Sequence, residues 1–247
     1  MKKYVINLRH RTDRLLTFRK NNPTFDGEVF QAFDGSTLTH PTLAQAGFDT
    51  DKNWRDPILG RVMTKGEIGC FLSHWELWGK CAEGDEPFMI FEDDVIPTGA
   101  VDQPWPESYD FLYLSQAEQL SEGASETTPC YPYHLCAYVI TPLAAKCLTK
   151  SGAHQQIIPC DELLPRMTDK MEVRALKENM YEQVGRETLG TDIEPTKESD
   201  YFCDFDTYVF TVGDKPERMT KLYESAEAHG LVVQNLLEGE WKGGTPL

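Results

Sequence analysis

Three consecutive carboxylates, Glu92, Asp93 and Asp94, carry the plainest chemistry in the chain. They close the run Phe88-Met-Ile-Phe91, which has no polar alternation. An ionised carboxylate is costly to bury alone, so the three must meet solvent, a counter-charge or a cation. Clustered hard oxygen donors suit Mg²⁺ or Mn²⁺, ions that carry phosphorylated ligands. The plainer alternative is a solvated acidic turn. A basic group lies upstream: Lys2, Lys3, Arg9, Arg11, Arg14, Arg19 and Lys20 stand in the first twenty residues against Asp13 alone. That patch suits an anionic small ligand, or is exposed helix. His74, Asp34, Asp161 and Glu162 are further candidates, each with an ordinary reading beside the functional one.

These residues need elements to place them. The unbroken run before Glu92 reads as a strand buried on both faces, as in a parallel sheet, and ligands bind at the carboxyl edge of such sheets. Tyr4–Leu8 reads as a first strand, followed by a short helix that Thr12 or Asp13 would cap. That strand-to-helix turn offers free N–H groups to phosphate, and Arg9 and Arg14 could add charged hydrogen bonds. Val29–Phe33 reads as a strand closed by the turn Asp34-Gly35, where Asp34 could accept from a base or sugar hydroxyl. Residues 36–63 read as a long polar loop.

Thr64-Lys-Gly-Glu67 is a capping box that starts a helix with an inward stripe of Ile68, Phe71, Leu72, Trp75 and Trp78. Gly66, Gly69 and Ser73 line another face, open to close approach of backbone or ligand. His74, beside it, either packs or touches a diphosphate or metal-bound group. Asp110–Ser115 and Cys136–Ile140 read as strands, and residues 116–129 as a lid. Thr141 caps a helix with Pro142 at its first position. In Pro159-Cys-Asp-Glu-Leu-Leu-Pro165, Asp161 is placed to cap a helix or to act as a general base at the ligand edge. Gln183 and Thr191-Asp-Ile193 fall in an irregular stretch before a polar linker, Glu194–Asp200. The tail holds a βαβ pattern over 207–235, so the expected division is 1–200 and 201–247.

A chain of 247 residues with 40% hydrophobic and 26% charged residues is ordinary for a globular protein, and its net charge of −16 argues against nucleic-acid or anionic-membrane binding. No signal peptide or membrane span is read, which points to a cytoplasmic location. The seven cysteines are scattered without C-x-x-C, so they read as reduced thiols with no zinc motif.

The motif order resembles glycosyltransferase family 25, which includes lipooligosaccharide galactosyltransferases and collagen hydroxylysine galactosyltransferases. The likeness covers roughly residues 3–195. It is carried by Tyr4–Arg14, Phe30-Gln-Ala-Phe-Asp-Gly35, Leu59-Gly-Arg61, Gly66-Glu-Ile-Gly-Cys-Phe-Leu-Ser-His74, Glu92-Asp-Asp94, Pro159–Leu164 and Thr191-Asp-Ile193. The tail separately resembles the start of a lysyl hydroxylase glycosyltransferase domain, through Val209-Phe-Thr-Val212 and Glu238-Gly-Glu-Trp-Lys-Gly-Gly244.

The resemblance implies an α/β domain of the GT-A type, a UDP-sugar donor (UDP-galactose) and a divalent metal. Glu92 and Asp94 would then hold the ion, with Asp93 as a further ligand or sugar contact. Arg9, Arg14, Ser73 and His74 would face the phosphates, and Asn7 and Asp34 the nucleoside. An inverting transfer also needs a base: Asp161, with Glu162 and Asp93 as the alternatives. The acceptor would be hydroxylysine of a collagen-like polypeptide or a surface glycan. The rival reading is a non-catalytic module that binds sugar or nucleotide.

Overall fold

In the computed structural model the carboxylates end a central strand of a sheet. The strands are β1 (Lys2–Asn7), β2 (Glu28–Gln31), β3 (Phe88–Glu92), β4 (Val95–Pro97), β5 (Phe111–Tyr113), β6 (Ala137–Ile140), β7 (Val173–Ala175) and β8 (Tyr181–Gln183). The helices are α1 (Thr12–Asn21), α2 (His40–Gln45), α3 (Lys65–Glu83), α4 (Pro142–Thr149), α5 (Cys160–Leu163) and α6 (Arg186–Leu189). The structure describes residues 1–100, 103–115, 134–193 and 201–202. The chain divides into two units, Met1–Asp204 and Phe205–Leu247, and all of these strands and helices belong to the first. The lid expected at 116–129, the linker 194–200 and the βαβ pattern of the tail lie outside the described residues.

Six strands form one sheet in the order β2-β1-β3-β6-β5-β7. β1 pairs in parallel with β2 and β3, and β5 with β7, while β6 runs against its neighbours β3 and β5. The α/β class with a mostly parallel sheet is therefore what the structure shows. The unbroken apolar character of β3 has a direct cause. Phe88 and Ile90 enter the core shared with α3 and α4, whereas Met89 and Phe91 enter the core shared with α1. Each such side chain contributes about 1.5–3 kcal/mol by burial. The parallel register sets Ile6 opposite Glu92 and Asn7 opposite Gln31. Asn7 and the acids thus leave the sheet at one edge.

The capping box at Thr64 and Glu67 opens α3, and Arg61 grips the same Glu67 with both terminal nitrogens at 2.8 and 2.9 Å. The small-residue face of α3 receives backbone. A Cβ on Gly69 would lie 2.7 Å from Phe33 O, and one on Gly66 would lie 2.2 Å from Asp192 O. Thr141 and Pro142 begin α4 as expected.

Some local expectations need correction. Residues 36–63 are not all loop: α2 lies there, capped by Thr39, with Pro41 in its first turn. Arg11, not Thr12 or Asp13, stands at the N-cap of α1 and makes no side-chain cap. Asp161 is not a cap either. Pro159 holds the N-cap of α5, and Asp161 follows in its first turn. Gln183 does not lie in irregular chain. It ends β8, which pairs antiparallel with β4 so that Gln183 faces Val95. Among the described residues, five cysteines are free thiols, and no helix is long and apolar enough to cross a membrane.

Candidate active site

A cleft of about 250 Å³ opens where β1, β2 and β3 end. Of the residues singled out in the sequence, Asn7, Arg14, Asp34, Ser73, His74, Glu92, Asp93 and Asp94 line it. Arg9 is exposed and does not line it, and neither do Asp161 and Glu162.

Arg14 is the buried counter-charge of the acidic edge. Its Nη2 donates to Asp94 Oδ2 at 2.6 Å. Its Nε lies 2.7 Å from Asp93 Oδ1, although the N–H is not aimed at that oxygen. Asn7 Nδ2 donates to Asp93 Oδ2 at 2.5 Å and to the Arg11 carbonyl at 3.0 Å. Gln183 Nε2 donates to Asp94 Oδ2 at 3.0 Å, so the β4–β8 ribbon supplies a donor that helical or strand patterns upstream do not reveal. One oxygen is left over: Asp94 Oδ1 is buried without a hydrogen-bond partner.

Glu92 turns another way. Its Oε1 lies 3.4 Å from His74 Nε2 and 3.7 Å from Cys70 Sγ. The expected metal trio is thus not assembled as one sphere. Asp93 has both oxygens engaged, Asp94 offers one, and Glu92 faces Cys70 and His74. The physical reason is charge: one guanidinium serves two of the three carboxylates, and the third finds an imidazole.

The electrostatics follow. Burial, together with the charge of Glu92, lifts the Asp94 carboxyl to about 7 despite Arg14. Burial also works against the ionised form of Glu92, but His74 and Arg14 outweigh it and hold that carboxyl below its ordinary value. Burial disfavours a charged His74, yet Cys70 and Glu92 raise it to about 10. A protonated ring fits its bonds. Nδ1 lies 2.8 Å from the Tyr138 hydroxyl, which also accepts from Trp78 Nε1 at 2.9 Å. A phenolic oxygen can accept from both, while Nε2–H points to Glu92.

Ser73 is fully buried. Its hydroxyl donates to the Gly69 carbonyl at 2.7 Å and accepts from the Phe33 amide at 2.9 Å, tying the end of the β2 segment to α3. Asp34 caps a short 3-10 turn through the amide and hydroxyl of Ser36, at 3.0 and 2.6 Å. His10 spans the mouth, 3.8 Å from Asp34 and 3.9 Å from Asp192.

Segment 189–193 forms the opposite wall. Arg11 donates to the Leu189 carbonyl at 2.5 Å and also binds the Asp192 carboxylate. Arg14 Nη1 reaches Asp192 Oδ2 at 3.4 Å, and Thr64 Oγ1 donates to the Ile193 carbonyl at 2.7 Å. Arg11, which ties down that wall, and Cys70, Gln183 and Asp192, which line the cleft, thus belong to the site, although in the sequence they carry no individual role beyond a basic patch, two motif blocks and an irregular stretch. The spacing of Cys70 and His74 on one helix was the available signal for the second of these.

The base candidates separate. Glu162 is buried outside the cleft, its Oε2 accepting from Trp54 Nε1 at 3.0 Å and from Arg166 at 3.4 Å. Its role is to tie the loop at 54 to α5, which corrects its place as a base. Asp161 also lies outside the cleft lining, but burial and then the charge of Glu92 lift its carboxyl to about 7. It therefore sits within electrostatic reach of the acidic edge.

Residues 1–116 match the profile described as Glycosyltransferase family 25 (LPS biosynthesis protein). Inactive glycosyltransferase 25 family member 3 of Homo sapiens is 32% identical over 187 residues, covering 68% of this chain and 31% of that protein. Procollagen galactosyltransferase 1-A of Xenopus laevis is 26% identical over 241 residues, covering 83% and 38%. The chain thus spans about a third of the length of the curated relatives it matches. A solved Drosophila beta-1,4-galactosyltransferase 7 mutant, in complex with manganese, UDP-Gal and xylobiose, aligns with TM-score 0.41 and 10% identity, over 80% of this chain and 77% of that one.

Proposed function

Because the chain belongs to glycosyltransferase family 25, we propose that it moves a hexose, galactose from UDP-galactose, to an acceptor hydroxyl. The observation that carries this reading is the cleft at the carboxyl edge of the sheet, where Arg14 and three carboxylates meet beside the latched segment 189–193. Ligand sites of open α/β sheets lie at that edge. The relative named procollagen galactosyltransferase supports hydroxylysine of a collagen-like polypeptide as the acceptor, with a surface glycan as the alternative.

Breaking the anomeric bond leaves a diphosphate whose growing charge must be met. Asp94 Oδ1, buried and unpartnered, is the oxygen that fits a hard cation, and such ions bind through one or two carboxylates plus substrate phosphates. A Mn²⁺ or Mg²⁺ ion held there would supply positive charge to the leaving group. Arg14 holds Asp93 and Asp94 in place and adds its own charge at the cleft wall. Asn7 fixes Asp93, and Asp34 stands where a nucleoside hydroxyl could donate to it. Asp161, lifted to about 7, has a basicity matched to taking the acceptor's proton near neutral pH.

The test offers UDP-galactose and Mn²⁺ with a hydroxylysine peptide or a lipooligosaccharide-type glycan, read by mass spectrometry. One acceptor should gain a hexose, and Asp94→Ala should abolish the gain. If neither acceptor gains mass and no UDP is released, the transfer reading fails. A second reading, binding without transfer, is favoured by the human relative's name as inactive and by the hold of Arg14 on Asp93 and Asp94. UDP binding without UDP release would select it.

A further inference from the structure

We propose that Cys70, His74 and Glu92 form a three-ligand site for a zinc-class divalent cation, with its fourth corner open to the cleft. The ligand atoms lie within 4.8 Å of one another, with Nε2 to Oε1 at 3.4 Å and Sγ to Oε1 at 3.7 Å. A tetrahedral ion with ordinary zinc bond lengths requires about 3.3 Å between nitrogen and oxygen and about 3.5 Å between sulfur and oxygen. Both edges to Glu92 therefore stand within a few tenths of an ångström of coordinating distance, and the Cys70–His74 edge, within 4.8 Å, would close to about 3.5 Å around the ion.

The scaffold is rigid and comes from two elements. Cys70 and His74 are four residues apart on α3, so they share a face. Glu92 closes β3, and the register of β3 against β1 aims it at that face. The far nitrogen of His74 is already fixed by the Tyr138 hydroxyl, which Trp78 holds in turn. A partner on the second imidazole nitrogen is what orients metal-binding histidines. Binding would leave that Nδ1–H bond untouched and replace only the proton on Nε2.

Donor chemistry selects the ion. A thiolate and an imidazole favour zinc over Mg²⁺ or Mn²⁺, and the lone oxygen of Asp94 has the opposite preference. One thiolate and one carboxylate neutralise a divalent charge. The exchange balances without redox change: the cation enters, the Cys70 thiol and the His74 imidazolium each release a proton, and Glu92 is already ionised. Without a cation, the Cys160 thiol and then burial keep Cys70 in its thiol form. All three ligands line the cleft, so water or a substrate oxygen can take the fourth position, the arrangement of catalytic rather than structural zinc. This site shares the cleft and Glu92 with the transfer reading but does not require it.

Co²⁺ titrated into the metal-free full chain tests the proposal. The expected result is one equivalent of tetrahedral cobalt, with strong visible bands and a thiolate-to-cobalt charge-transfer band. Cys70→Ser should abolish the charge-transfer band, and Glu92→Gln should weaken binding at least about tenfold, both with unchanged circular dichroism. Cys160→Ser, which removes the neighbouring thiol, should keep the band. A six-coordinate spectrum without the band overturns the site, as does a band that survives Cys70→Ser or is lost in Cys160→Ser.

Discussion

Asp161→Asn separates the chemistry of that residue from its cost. Burial and the charge of Glu92 lift the Asp161 carboxyl from 3.8 to about 7. A raised carboxyl is protonated in the folded chain while the unfolded chain has already ionised, so folding stability falls as pH climbs from about 4 to 7 and levels off above that. Three pH units correspond to about 4 kcal/mol. Since the residue keeps some contact with solvent, about 2 kcal/mol is the expectation. Urea denaturation of wild type and Asp161→Asn from pH 4 to 8 reads it. The two should be equally stable near pH 4, and the variant more stable at pH 8 while losing hexose transfer. A variant less stable than wild type at pH 8, or a difference that does not change with pH, refutes the reasoning. Glu92→Gln should shrink the pH-dependent difference, because Glu92 is the largest charge acting on Asp161.

Arg14→Gln removes the counter-charge of two buried acids and should cost about 3–5 kcal/mol at neutral pH, measured by urea unfolding; a loss under 1 kcal/mol contradicts it. Tyr138→Phe leaves Trp78 Nε1–H and His74 Nδ1 without their shared acceptor, so about 2–5 kcal/mol should be lost in the same assay. Gly66→Ala places a methyl against the Asp192 carbonyl. Faster amide exchange over 189–193, with α3 still protected, is the expected outcome, and unchanged exchange there counts against the latch.

Much of the scaffold was legible because its causes are local. The double-faced burial of β3 follows from four apolar residues without alternation. The start of α3 follows from Thr64 and Glu67, and the open face of that helix from Gly66 and Gly69. α2 escaped notice because it is only six residues long, in a polar stretch. The site was legible as a set of residues but not as a set of partnerships. Nothing near Arg14 in sequence says that it will meet Asp94, 80 positions away. Nor does α3 announce that His74 will be met by Tyr138, 64 positions on. Three adjacent carboxylates suggest one shared ion. The pleat and the turn after β3 send them apart, Glu92 to the face of α3 and the two aspartates to α1. Asp161 reads in sequence as a possible helix cap, but Pro159 holds that position.

The cleft at the sheet edge is the proposed seat of the donor diphosphate. Phosphorus NMR of UDP-galactose titrated with the chain and Mg²⁺ examines it most directly. The diphosphate signals should shift saturably at one equivalent, and Asp94→Ala should weaken that binding about tenfold, or ~1.4 kcal/mol. Signals that do not move, or that move equally with Asp94→Ala, would place the nucleotide elsewhere.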